Sequence, residues 1–184
     1  MPEKYFGKYT GIVKDNRDDQ KLGHLKVFVP AIFPADDEED VVIARPALPY
    51  GFYFVPEKDA KVWVEFEGGD PDLPLWTGLQ YVPGEWAKEG EASPPQKRVL
   101  KTAAGHIVLF NDKSGEEAIE IHDGIHKHVI RLNKDGLTIK DGTNSHSITL
   151  GKGGVSIEAN GGTTMELKTR GVKVELAATG ITID

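Results

Sequence analysis

Residues 148–157, Ile148-Thr149-Leu150-Gly151-Lys152-Gly153-Gly154-Val155-Ser156-Ile157, carry the pattern that decides the fold. An apolar-x-apolar triplet runs into a glycine-rich polar turn, and a second triplet follows. The pattern returns throughout the second half of the chain. The first arms are Ile107-Val108-Leu109, Ile130-Arg131-Leu132, Ile148-Thr149-Leu150 and Met165-Glu166-Leu167. The second arms are Ile119-Glu120-Ile121, Leu137-Thr138-Ile139, Val155-Ser156-Ile157 and Val172-Lys173-Val174, and Ile181-Thr182-Ile183 stands almost at the end. Gly136, Gly154 and Gly171 precede three of the second arms at spacings of 18 and 17 residues. A near-fixed period of short strands predicts a β-helical repeat. Each strand has one apolar and one polar edge, the period-2 signature. A strand of about five residues buries little by itself, so it must stack on copies of itself or on other chains.

Composition narrows the function classes. The chain has 184 residues, 39% of them hydrophobic and 28% charged, with 21 glycines, a composition that fits many short strands joined by turns. Its net charge of -7 disfavours partners that demand clustered Lys and Arg, namely nucleic acid and anionic membrane surfaces. There is no cysteine, hence no disulfide framework and no thiolate metal site. Met1-Pro2-Glu3-Lys4-Tyr5-Phe6-Gly7 lacks the apolar core of a secretory signal, and no stretch approaches the roughly 20 apolar residues of a membrane span.

The first half alternates strand-like runs with turn chemistry. Residues 1–8 read as an N-terminal arm. Tyr9–Lys14, Leu25–Val29, Val41–Arg45, Lys61–Glu67 and Leu75–Tyr81 read as strands, the fourth alternating for seven residues. The acidic run 36–40 reads as a solvated loop. Five strands in about 75 residues, without a helical period, predict a five-stranded barrel of the oligonucleotide/oligosaccharide-binding (OB) type over residues 1–81. Residues 82–98, with Val82-Pro83-Gly84 and Ala92-Ser93-Pro94-Pro95, read as a linker. Residues 99–184 carry the repeat.

In order and spacing, several stretches resemble the spike family of contractile injection systems. That family comprises the phage baseplate assembly protein V proteins and the type VI secretion valine-glycine repeat proteins. The matching segments are Tyr9–Val13, Gly23–Pro30, Arg45–Gly51, Val62–Pro74 leading to Gly78–Tyr81, and the junction Lys101–Asp112. The resemblance implies a homotrimer in which three OB barrels form a collar and three C-terminal segments wind into an intertwined triangular prism. It implies a structural, non-enzymatic part of a phage virion or extracellular injection particle, assembled in the cytoplasm, whose needle touches the target-cell membrane transiently. No hub domain precedes the barrel in this sequence, which leads to the expectation of a separate hub protein. Some relatives end in a His-x-His apex that holds iron; here His126-Lys127-His128 falls in mid-repeat and the end is a plain strand. A separate PAAR-like tip protein is therefore expected on Ile181, Thr182, Ile183 and Asp184.

The bundle implied by the resemblance gives the apolar edges a place to bury. The expected trimer core is Ile107, Leu109, Ile130, Leu132, Ile148, Leu150, Val155, Ile157, Val172 and Val174. His126 and His128 would share a face on a strand and could offer imidazoles to a metal, but His122 and His126 flank the Asp123-Gly124 turn and read as solvated loop residues, so neither a metal nor a cofactor is expected. His106, His128 and His146 precede strand triplets and read as marks of the repeat. The carboxylate pairs Glu65/Glu67 and Glu116/Glu117 read as solvated faces, not as glycosidase acids. Trp63, Trp76 and Tyr81 read as packing rather than as a base-stacking platform. The alternative reading is an OB-fold glycan- or single-strand-binding module on a β-solenoid stalk.

Overall fold

The structure, a computed structural model, describes residues 3–33, 40–86, 88–90, 92–160, 165–169, 172–177 and 180–183; beyond Glu166 only the backbone is described. The chain is all-β and divides into two compact units, residues 1–85 and 86–184.

The first unit is a closed five-stranded barrel. Its strands are β1 (Tyr9–Asp15), β2 (Leu25–Phe28), β3 (Val41–Pro46), β4 (Lys61–Phe66) and β5 (Pro74–Leu79), paired in the order β1-β2-β3-β5-β4 and closing through β4 onto β1. Each lies within two residues of the run read from the sequence. All pairings are antiparallel except β3 with β5. Alternation explains the core: Val62, Val64 and Phe66 are buried while Lys61 between turn and strand is exposed. They meet Val13, Leu25, Val27, Val29, Ala44 and Trp76. Trp76 fills the interior and donates its indole N–H to the Gly23 carbonyl at 2.9 Å, so its one polar atom is satisfied there. Gly11 stands in β1 because a Cβ there would lie 2.5 Å from Val27 Cγ1 and 2.6 Å from Val64 Cγ2.

In the second unit, seven strands form one antiparallel sheet in strict chain order. They are β6 (Lys97–Lys101), β7 (Ile107–Asn111), β8 (Ala118–His122), β9 (Val129–Asn133), β10 (Gly136–Lys140), β11 (Ser147–Gly151) and β12 (Gly154–Glu158). A second sheet comprises β13 (Met165–Thr169), β14 (Val172–Ala177) and β15 (Gly180–Ile183).

The strands expected from the triplets are all present. Within the chain, consecutive strands of the seven-stranded sheet pair with each other. Lys134-Asp135 and Lys152-Gly153 are two-residue hairpin links, and the other connections run to five or six residues.

Candidate functional site

The register of the seven-stranded sheet sorts its side chains onto two unlike faces. Along one row the Cα partners are Leu100, Val108, Ile121, Ile130, Ile139, Ile148 and Ile157; along the next they are Phe110, Ile119, Leu132, Leu137, Leu150 and Val155. Because alternate residues share a face, these two rows form one apolar surface, across all seven strands in the first row and across β7 to β12 in the second, where Arg98 takes the β6 position. Nothing within the described residues covers it: Val155 keeps 70% of its surface, Ile157 49% and Ile121 47%. A contiguous apolar face of this kind marks an interaction surface.

The opposite face is largely polar. Arg131, Thr138, Thr149 and Ser156 lie in one row across it. Glu120 joins that row, with Oε1 3.3 Å from Arg131 Nε and Oε2 2.5 Å from His122 Nε2.

Of the core residues expected from the sequence, Ile130, Leu132, Ile148, Leu150, Val155 and Ile157 lie together on the apolar face. Ile107 and Leu109 do not. They pair with His122 and Glu120 and so belong to the polar face, while Val108 and Phe110 take the expected places. The cause is local: Ile107-Val108-Leu109-Phe110 is apolar at every position, so periodicity within β7 could not phase it. Ile119, Ile121, Leu137 and Ile139 complete the face; their triplets were visible, and only pairing shows which strand they oppose. Val172 and Val174 are Cα partners of Thr169 and Leu167 in the second sheet. Ile181, Thr182 and Ile183 form β15, and Asp184 lies outside the described residues.

One edge of the sheet is built from stacked turns. Asp123–His128 and Asp141–His146 have the same design. Asp123 accepts from the backbone N–H groups of Ile125 and His126, Asp141 from those of Thr143 and Asn144. Lys127 and Ser145 both hold positive φ, 65° and 61°. Each turn rests on the one before. A Cβ on Gly124 would collide with the Ala104-Gly105 backbone, and one on Gly142 with the His126-Lys127 backbone. Histidines stitch the stack: His106 Nδ1 faces the Gly124 N–H at 3.3 Å, His128 Nδ1 the Gly142 N–H at 3.1 Å, and His146 Nδ1 the Asn160 N–H at 3.0 Å. The recurrence of histidine is therefore a feature of the turn edge.

These turns predict an acid limb of stability. The Ile125 N–H holds the Asp123 carboxyl down to about 2, against partial burial, with His126 adding to the effect. Asp141 is lowered chiefly by the Thr143 N–H. A carboxyl depressed in the folded state contributes stability that is complete above its unfolded value near 4 and lost as pH falls through its folded value. Asp123→Asn is thus expected to flatten the loss of thermal stability between about pH 4 and 2, read by melting across a pH series; an unchanged acid limb would move its origin elsewhere.

The other sequence candidates stay apart. Glu65 pairs with Lys8, Glu67 with Arg45, and Glu116 with Lys113. Trp76 is inside the barrel, whereas Trp63 alternates with the buried Val62 and Val64, so the aromatic rings share no single face.

A closed barrel followed by a sheet with one uncovered apolar face defines a class of assembly protein. Comparison with known families agrees. Residues 9–81 match the type VI secretion system/phage-baseplate injector OB domain, and residues 97–164 match the phage baseplate V C-terminal trimerisation domain. The chain belongs to this injector family of structural baseplate proteins, and its trimerisation domain supports a homotrimer. No curated protein matches the chain.

Proposed function

We propose that this protein is the central spike of a contractile injection particle, a phage tail baseplate or a related device. Three chains bring their apolar sheet faces together to form a needle at the front of the inner tube, and contraction of the sheath drives the needle through the target envelope. The role is mechanical and non-enzymatic. A separate hub protein holds the barrels, and a PAAR-like tip protein sits on the C-terminal strands.

The observation that carries this reading is the apolar face of two rows, one running from Leu100 to Ile157 and the other from Phe110 to Val155, in a domain matched to trimerisation. Burying a half-exposed Ile or Leu contributes about 1 kcal/mol, so covering the face is worth on the order of 10 kcal/mol per chain before the entropy of association. A three-fold bundle buries the face of each chain against the other two. Native mass measurement of the full chain tests this: three chains per particle are expected, and a stable monomer at micromolar concentration overturns it.

The tip assignment has its own test. β15 ends the second sheet, paired on one side with β14. An edge strand offers free backbone groups for pairing. Deletion of residues 180–184 is expected to abolish capture of a PAAR-repeat protein of the same particle while the mass remains that of a trimer. Unchanged capture would place the tip elsewhere.

A further inference from the structure

Two turns of one design provide an internal control on their own side chains. Asp123-Gly124-Ile125-His126-Lys127-His128 and Asp141-Gly142-Thr143-Asn144-Ser145-His146 share the capping aspartate, the stacked glycine, the positive-φ residue and the closing histidine. They also share the backbone bonds. The Asp123 N–H donates to His128 O at 2.9 Å and the Asp141 N–H to His146 O at 2.8 Å, and the fifth residue's N–H returns to the first residue's carbonyl at 3.1 Å in both. At the fourth position one turn has Asn144 and the other His126. The turn therefore forms without an imidazole there: Asn144 bonds the Asp141 side chain as His126 bonds that of Asp123.

What His126 adds is a ligand set. Its Nδ1 lies 2.8 Å from Asp123 Oδ2, and its ring stacks on that of His128 with centroids 5.6 Å apart. One ligand atom from each of Asp123, His126 and His128 lies within 4.8 Å of the others. Metal–nitrogen and metal–oxygen bonds near 2.0–2.2 Å need ligand atoms about 3 Å apart, within reach of small side-chain rotations because both histidines are exposed. A fourth residue completes the arrangement. Asp141 Oδ1 stands 2.9 Å from His128 Nδ1, the atom that also accepts the Gly142 N–H; ligation through Nε2 takes the other tautomer, in which Nδ1–H gives up that contact and donates to Asp141.

We propose that Asp123, His126 and His128 bind a divalent first-row transition ion of the zinc or nickel class, one per chain, with Asp141 as the outer carboxylate. Two imidazoles and one carboxylate suit borderline ions and not calcium or magnesium, which require more oxygen ligands. The ion closes the Asp123–His128 turn upon itself. In a chain without cysteine it is a cross-link that needs no oxidising compartment. The proposal stands on this turn alone and does not depend on the spike reading.

The test is calorimetric titration of Zn2+ and Ni2+ into the full-length, tag-free protein. One ion per chain is expected. His126→Asn copies the sister turn, so it should keep the metal-free melting temperature and weaken binding at least tenfold. Asp141→Asn should weaken it by about tenfold with the stoichiometry unchanged. Absence of saturable binding to the wild type overturns the proposal. Equal affinity in His126→Asn does so as well, because it moves the ion to another pair such as His24 and Asp18 or His122 and Glu120.

Discussion

An Ile148→Asp chain is expected to remain a monomer, and a Thr149→Asp chain is expected to assemble. The two positions are neighbours on β11 and face opposite ways. Ile148 lies in the apolar row between Ile139 and Ile157; Thr149 lies in the polar row between Thr138 and Ser156. In the proposed trimer each Ile148→Asp chain places one carboxylate in an apolar contact with no cation to meet it. Leaving a buried charge unpaired costs about 3–5 kcal/mol, and three copies meet in one particle. Native mass or light scattering at micromolar concentration reads the outcome. Phe110→Asp should behave like Ile148→Asp, since β7 contributes Val108 and Phe110 to the face. If Thr149→Asp dissociates the particle while Ile148→Asp does not, the face that trimerises is the polar one and the assembly model fails.

Gly136→Ala and Gly142→Ala are expected to be the most damaging small substitutions in the sheet, while Gly153→Ala changes little. Gly136 has φ 134°, and a Cβ there would overlap the Leu150 carbonyl oxygen of the adjacent strand. At Gly142 the obstruction is the Lys127 carbonyl of the preceding turn. Both obstacles are backbone, which cannot step aside as a flexible side chain does. Gly153 has open space around it. Strain and displaced pairing at the first two positions should remove about 2–4 kcal/mol, a fall in Tm of about 5–10 °C, against less than about 0.5 kcal/mol at Gly153. Thermal melting of the three variants decides it. Equal stability of Gly142→Ala and wild type would mean that the turns do not stack as described.

Much of the architecture was legible because it follows from local pattern. Val62, Val64 and Phe66 alternate with polar neighbours, which announces a half-buried strand before any partner is known. Lys134-Asp135 beside Gly136, and Lys152-Gly153 beside Gly154, announce the turns by the same local chemistry. The order of barrel and repeat follows from these short-range signals, whereas the family shows in the resemblance of whole stretches, such as Val62–Pro74, taken in order and spacing.

The phase of β7 and the neighbours of each strand were not legible, because they depend on register. In β7 four apolar residues stand in a row, and reading Ile107-Val108-Leu109 as a triplet places Ile107 and Leu109 in the core. Only the pairing of Val108 with Ile121 and of Phe110 with Ile119 resolved the phase, since a strand's faces are set by the residues opposite.

The Asp123–His128 turn shows the same division at the scale of side chains. His126 and His128 were conspicuous in sequence as a pair. That Asp123 lies against one ring and Asp141 against the other required the turns to be stacked in space. Sequence by itself determined which segments are strands and where the chain turns, because those properties are carried by neighbours along the chain, and which family it joins, through whole stretches taken in order and spacing. Tertiary structure alone decided the phase of β7 and which four side chains meet at the sheet edge, because those depend on residues 14 to 18 positions apart being hydrogen-bonded into one register.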